Sequence, residues 1–222
     1  MDPLISHCLR CGTCCRKGGP ALHLADLPIL QNGWLRPEQL ITIRKGELAY
    51  SPKTGRAEPL KRELVKTANR SGEWACVFYD ELRKECSIYQ HRPLECRLLQ
   101  CWAPEELMAV SGRDTLTRGD ILGPDHPLLE SMTQHERDCP CERLLELVAS
   151  LQTGQPLPMA AAEHLAESIK KDLAFRSLAV QRFNLSLAME LFLFGRPFLK
   201  ILAGHGLLVR ENGHGLHLQW QD

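Results

Sequence analysis

Cys8-Leu9-Arg10-Cys11-Gly12-Thr13-Cys14-Cys15-Arg16 is the stretch on which the reading of this chain turns. Two thiolates separated by two residues grip one metal centre from a single tight turn. Here that spacing occurs twice in succession and ends in a vicinal cysteine. Gly12 suits such a turn, because a chain wrapped around a metal adopts dihedrals that a Cβ disfavours. A structural zinc site normally draws C-x2-C pairs from two separate places. The triple run instead matches the spacing that offers three thiolates to the corners of an iron–sulfur cubane. The fourth ligand of such runs is often a remote cysteine followed by proline, a form that Cys139-Pro140 shares.

Working outward, the chain holds 10 cysteines in 222 residues, and all of them precede residue 142. A central array follows the first cluster: Cys76-Val-Phe-Tyr-Asp80, Cys86-Ser-Ile-Tyr89 and Arg92-Pro93-Leu94-Glu95-Cys96-Arg97. Pro93 is suited to start a helix with Cys96 in its first turn, where amide dipoles lower a thiolate's pKa. Arg92 and Arg97 are placed to neutralise charge on the ligated sulfurs, and Trp74, Phe78 and Tyr89 to wall the site. Cys101, Cys139 and Cys141 read equally as ligands or as small buried hydrophobes. His7 beside Cys8 is a candidate outer donor, whereas His205, His214 and His217 fall in a glycine-rich turn and read as solvent-exposed.

Cys8-x2-Cys11-Gly12-x-Cys14-Cys15-Arg16, followed by Cys76-x-Phe78 and Cys86-x-Ile88-Tyr89-x2-Arg92-Pro93-x2-Cys96-Arg97, resembles the YkgJ family of cysteine-cluster proteins. This is also called the CxxCxxCC family, a zinc- or iron-chelating domain that has a similar counterpart in flagellin lysine N-methylase. The resemblance covers roughly residues 7 to 100. It implies that Cys8, Cys11, Cys14, Cys15, Cys76, Cys86 and Cys96 are shared metal-site residues, to which Cys139 is added as a late element. It leaves the reaction open.

The composition agrees with a thiol chemistry kept in reduced form. Met1 to His7 is too short and polar for a secretory signal, and cytosolic reductants keep thiols free, so a cytoplasmic protein is expected. The greasiest stretch, Leu185 to Phe194, is about half a membrane span and reads as a buried helix. Lys plus Arg equals Asp plus Glu at 27 each, which gives no support to a nucleic-acid or anionic-membrane binder.

The fold expected is mainly α with short β-hairpins: a cysteine-lined metal core over residues 1–141, packed against a helical region with a terminal hairpin over 142–222. Helix-like spacing marks Ala25 to Leu30. A hairpin is expected across Leu40 to Tyr50, turning at Lys45-Gly46. Ser51 to Pro59 and Ser111 to Pro127 read as loops. Apolar stripes predict helices after Pro140, along Ala162 to Leu173, and from about Leu178 to Phe194, with Gly195 as the stop. Leu207 to Arg210 and Leu216 to Trp220 flank Glu211-Asn212-Gly213 as a hairpin.

Three functions follow from these readings. The first is a protein holding a 4Fe-4S cluster, with room for a second centre, used in electron transfer or cluster-supported catalysis. The second is a structural zinc module that contacts a protein partner through its helical tail, with Leu191 to Phe198 as a candidate contact. The third, by analogy with flagellin lysine N-methylase, is a methyltransferase. The chain has no glycine-rich nucleotide loop between a strand and a helix, since Gly204-His205-Gly206 follows an apolar helix. No catalytic residue is singled out, and oligomeric state is left open.

Overall fold

The computed structural model describes residues 8–70, 72–213 and 215–221, so Met1 to His7 and His214 lie outside the described residues. Nine helices and four two-stranded antiparallel sheets are found among the described residues. In chain order they are α1 (Leu27–Gln31), β1 (Leu40–Ile43), β2 (Leu48–Ser51), β3 (Arg56–Pro59), β4 (Leu64–Thr67), β5 (Tyr79–Asp80), β6 (Glu85–Cys86), α2 (Leu94–Leu98), α3 (Glu105–Val110) and α4 (Arg118–Leu122). Then come α5 (Leu128–Asp138), α6 (Cys141–Ser150), α7 (Met159–Phe183), α8 (Leu187–Phe194), α9 (Phe198–Gly204), β7 (Leu207–Asn212) and β8 (Gly215–Trp220). The mixture of helices and short hairpins agrees with the expected class, with more strand than the tail alone would supply.

The hairpin expected across Leu40 to Tyr50 does not form. β1 pairs instead with β4, Leu40 opposite Thr67, and β2 pairs with β3, Ser51 opposite Arg56. The strand β3 therefore occupies much of what read as a loop over Ser51 to Pro59. The reason is visible on β1, where Leu40 and Thr42 face inward and the two isoleucines are only half-buried. The Thr42 hydroxyl donates to the Phe192 carbonyl at 2.6 Å, so a residue that reads as polar is held inside by a bond to α8. α4 likewise falls within the expected loop Ser111 to Pro127. Its Thr117 cap accepts from the Asp120 amide, and Asp120 reaches back to the Thr117 amide.

In the tail the helix after Pro140 and the terminal hairpin are present as read. The two middle helices divide elsewhere. α7 continues without a break to Phe183, and Asn184 ends it in a left-handed conformation (φ 49°). α8 then starts from a Ser186 cap and stops at Gly195. Phe192 to Phe194 and Phe198 are buried inside the protein, which removes Leu191 to Phe198 as a partner surface. No described helix is long and apolar enough to cross a membrane.

Two apolar clusters make the core. One joins Leu22, Leu40, Val65, Phe78, Tyr79 and Leu116 to Phe192, Leu193 and Phe194, so residues from both sides of position 142 share it. The other packs α6, α7 and α9 against the terminal hairpin through Leu144, Leu165, Ile169, Leu202 and Leu207, with Cys139 and Cys141 among them. Leucine and phenylalanine make up most of the first cluster, with Cys76 among its buried members and Cys15 and Cys86 packed against it.

Buried ion pairs tie the two clusters together. Arg44, fully buried after β1, makes a bidentate contact to Glu136 on α5 (2.9 and 2.7 Å) and donates to the Cys139 carbonyl. Arg118 on α4 binds Glu63, reaches Glu136 at 2.8 Å and donates to the Leu193 carbonyl. Burial by itself would push the Glu136 carboxyl up, but Arg44 and Arg118 hold it below the usual range.

Candidate metal centre

The N-terminal motif is held by backbone contacts that its own spacing cannot show. Gly12 is buried with φ +75°, and a Cβ there would lie 1.9 Å from the Tyr79 hydroxyl oxygen. The chain therefore passes directly over the Tyr79 ring, and only glycine fits. Arg16 locks the turn: its amide donates to the Gly12 carbonyl at 2.9 Å and its guanidinium to the Cys11 carbonyl at 2.9 Å. A single helical turn, Cys15–Lys17, follows. The Cys76 amide then donates to the Cys15 carbonyl at 2.8 Å, which pins the first cluster to the central array. Gly12→Ala is expected to cost about 1–2 kcal/mol in backbone strain alone, with displacement of Tyr79 added. Denaturant unfolding beside the wild type checks this, and an unchanged midpoint would refute the close approach.

The central cysteines come from three short elements. Cys76 is buried just before β5, and Cys86 lies on β6 opposite Tyr79. Cys96 sits in the first turn of α2, after Pro93, as the sequence suggests. α2 is only five residues long, and a carboxylate from a distant segment fixes it. Buried Asp26 accepts from the Leu94 amide at 2.7 Å and from the His23 amide at 3.0 Å. Glu95 accepts from the Ala21 amide at 2.9 Å and meets His23 Nε2 at 3.3 Å. Asp26→Ala leaves the start of α2 without its acceptor. A loss of about 1–3 kcal/mol is expected, and about tenfold weaker metal retention, as for other outer partners of a metal site. Metal content after dialysis against a chelator reads the second effect.

Cys14, Cys15, Cys76, Cys86 and Cys96 lie within electrostatic reach of one another, although among the described residues no three of their sulfurs come within 4.8 Å of one another. Cys14 and Cys15 Sγ stand 3.9 Å apart, and Cys76 Sγ is 3.5 Å from the Thr67 hydroxyl. Burial pushes the Cys96 thiol well up, and neighbouring Cys76, Cys86 and Cys14 push it further. The expectation that the α2 dipole would lower it is thus corrected, because burial and like charges outweigh one short turn. Cys86 is raised in the same way, by burial first. Between the vicinal pair, the shared hydrogen bond holds Cys14 low and Cys15 high. Cys11, exposed, is lowered by hydrogen bonding to Thr13 and lies within electrostatic reach of Cys14. Cys8 is exposed at the start of the described chain.

Several thiolates cannot ionise side by side in a half-buried site unless positive charge joins them. A thiophilic metal supplies that charge and releases the protons on binding. The surrounding cations are modest. Arg92 stacks on Tyr89 at 3.6 Å, with Arg10 over the same ring at 5.0 Å, and Arg92 lowers the Cys86 thiol slightly against burial. Burial pushes Lys66 down, while Glu95 and Cys76 pull the other way. Arg97, expected to face the sulfurs, pairs instead with Asp26 at 3.7 Å. Trp74 is 74% exposed and walls nothing, whereas Phe78 and Tyr79 are buried beside the site.

The structure does not bring every candidate to this place. Cys101 is exposed in a turn. Cys139 and Cys141 lie in the second core, where burial pushes their thiols up to about 11 and about 12. Cys139 keeps company with His135 and Asp172 rather than with the other cysteines. His205 is half-buried and His217 exposed, and the Gly204-His205-Gly206 turn leads from α9 into β7. Asp26, His23, Glu95 and Tyr79 escaped the sequence reading. The first three act across long stretches of chain, while Tyr79 and Glu95 stand within the quoted cysteine segments, with no local sign of their partners.

Comparison with known proteins places this arrangement in a group. A family model described as "Putative zinc- or iron-chelating domain" matches residues 7–115. An uncharacterized protein of Methanocaldococcus jannaschii is 27% identical over 117 residues, which covers 53% of this chain and 54% of that protein. The chain thus spans about half the length of that relative. No solved structure matches.

Proposed function

Residues 7–115 belong to the CxxCxxCC family of metal-chelating domains, and from that premise we propose that the chain holds an iron–sulfur cluster, of 4Fe-4S type, between its N-terminal and central cysteines. The ligands proposed are drawn from Cys8, Cys11, Cys14, Cys15, Cys76, Cys86 and Cys96. The observation that carries the reading is that thiols of the N-terminal run and of the central array lie close enough to perturb one another, with the Cys76 amide bonded to the Cys15 carbonyl at 2.8 Å. Cys14, Cys15, Cys76, Cys86 and Cys96 already exceed the four thiolates of a structural zinc site, and the triple C-x2-C run suits a cubane.

When bound, the cluster supplies one-electron redox chemistry or an iron with an exchangeable position. The chain's own residues do the rest. Gly12 and Arg16 shape the turn that presents Cys11 and Cys14, and Asp26 holds the helix that presents Cys96. Phe78 and Tyr79 keep water from the inner side, while exposed Cys8, Cys11 and Cys14 leave the outer side open to solvent. A centre at the surface rather than in the core favours transfer of electrons to a docked partner.

Anaerobically purified protein tests this by its visible spectrum before and after dithionite, together with electron paramagnetic resonance of the reduced form. A broad absorption near the blue end that bleaches on reduction is expected. A colourless protein retaining zinc would overturn the cluster and leave the structural module. In either case complete chelation should lower the circular dichroism of the first half, where no described helix exceeds 11 residues.

A further inference from the structure

We infer that the Thr67 hydroxyl is a hydrogen-bond donor to the ligating sulfur of Cys76 and raises the reduction potential of the proposed centre. The inference rests on the cluster reading above, with Cys76 as one of its ligands. Thr67 ends β4 and is fully buried, and its Oγ1 lies 3.5 Å from the Sγ of Cys76, which is buried as well. Neither side chain has solvent to turn to. Among the described residues, the Cys76 sulfur is the one hydrogen-bond partner of this hydroxyl.

Both ends of the contact are fixed by chain that lies far away in sequence. Gly18-Gly19-Pro20 crosses the end of β4, where the Thr67 amide donates to the Pro20 carbonyl at 3.0 Å. A Cβ on Gly19 would fall 1.6 Å from Thr67 Oγ1, so the strap closes directly against the hydroxyl oxygen and only glycine permits it. Threonine is branched at Cβ, which leaves its χ1 few settings in such a confined place. On the other side, the Cys76 amide donates to the Cys15 carbonyl at 2.8 Å, and Cys76 bridges Asn69 in antiparallel fashion.

The direction of the bond follows from the chemistry of the sulfur. Between a thiol and a hydroxyl either atom can donate. Once a metal takes the place of the thiol proton, the sulfur has none to give, and the bond runs only from Thr67. A hydrogen bond to an ionised acceptor is stronger than one between neutral groups. Reduction adds negative charge to the sulfurs, so the donor favours the reduced centre over the oxidised one. Hydrogen bonds of this kind are among the means by which a protein sets the potential of a cluster. Cys76 is well placed for the effect to be felt, since it pushes up the thiols of Cys15, Cys86 and Cys96 alike.

Redox titration of the full chain, purified without oxygen, tests this on the wild type, Thr67→Val, Thr67→Ala and Thr67→Ser. Valine and alanine remove the donor, and serine keeps it. At a fixed potential the ratio of reduced to oxidised centre should fall about tenfold in Thr67→Val and Thr67→Ala, a midpoint lower by about 59 mV for one electron. Thr67→Ser should stay near the wild type. The potential belongs to each loaded centre, so partial loss of metal from a variant leaves the test intact. A midpoint unmoved in Thr67→Val, or moved as far in Thr67→Ser, overturns the assignment. A wild type that carries zinc and no sulfide overturns the cluster reading and with it the role in setting a potential. The hydrogen bond is then read on the cobalt-loaded chain. There the sulfur-to-cobalt charge-transfer band should move to lower energy in Thr67→Val and Thr67→Ala, and an unmoved band overturns the bond too.

Discussion

Cys96→Ala is expected to empty the proposed centre, whereas Cys101→Ala leaves it full. Cys96 is half-buried, rigidly placed by Pro93 and Asp26, and surrounded by the thiols of Cys76, Cys86 and Cys14. Cys101 is exposed in a turn. Losing a direct ligand should weaken retention by more than the 10–100-fold typical of an outer partner, so about 100-fold or greater is expected. The fold should tolerate the smaller side chain itself, so any loss of helix in Cys96→Ala reports the missing metal. Metal per chain, measured on both variants purified side by side, decides. Equal content would remove Cys96 from the ligand set.

Glu136→Ala should be the most damaging single change away from the cysteines. It strips the bidentate partner from Arg44, which is fully buried, and one of two carboxylates from Arg118. Removing one partner of a buried pair typically costs about 3–5 kcal/mol, because the remaining charge stays desolvated. Glu136 is itself about one-third exposed and Arg118 keeps Glu63, so the lower end, about 3 kcal/mol, is expected here. In a chain of this size that corresponds to a fall in Tm of about 6–12 °C. Glu136→Gln keeps one acceptor and should lose less. Calorimetry of the three proteins measures it, and a variant as stable as the wild type would mean that Arg44 finds another anion. Since Arg44 also holds the Cys139 carbonyl, the change is expected to loosen the end of α5 as well.

What the residues disclosed and what they hid follow a physical pattern. Local signals survived: Pro93 does precede a helix carrying Cys96, Gly195 does stop α8, and the two terminal apolar runs do pair as a hairpin, although Glu211 and Asn212 belong to its first strand rather than to the turn. The thiol chemistry was legible because chelate spacing is local, and the family match over residues 7–115 agrees with it. Pairings that depend on distant chain were not legible. β1 chose β4 over its neighbour β2 because Thr42 found the Phe192 carbonyl, 150 residues away in sequence. Asp26, Arg44 and Arg118 stand in no motif of the sequence, yet each is buried against a partner that no periodicity announces. Arg97 was judged by its nearness to Cys96, but on a helix adjacent residues point apart, and its side chain went to Asp26. Cys139-Pro140 had the form of a remote cluster ligand, and packing placed it in the other core beside His135.

The most direct test of a thiol-held cluster is the iron and acid-labile sulfide content of protein purified without oxygen. Iron and sulfide in equal amounts, near four of each per chain for one cubane, is the predicted result. Zinc with no sulfide would contradict the cluster, and the convergent cysteines would then hold a structural metal.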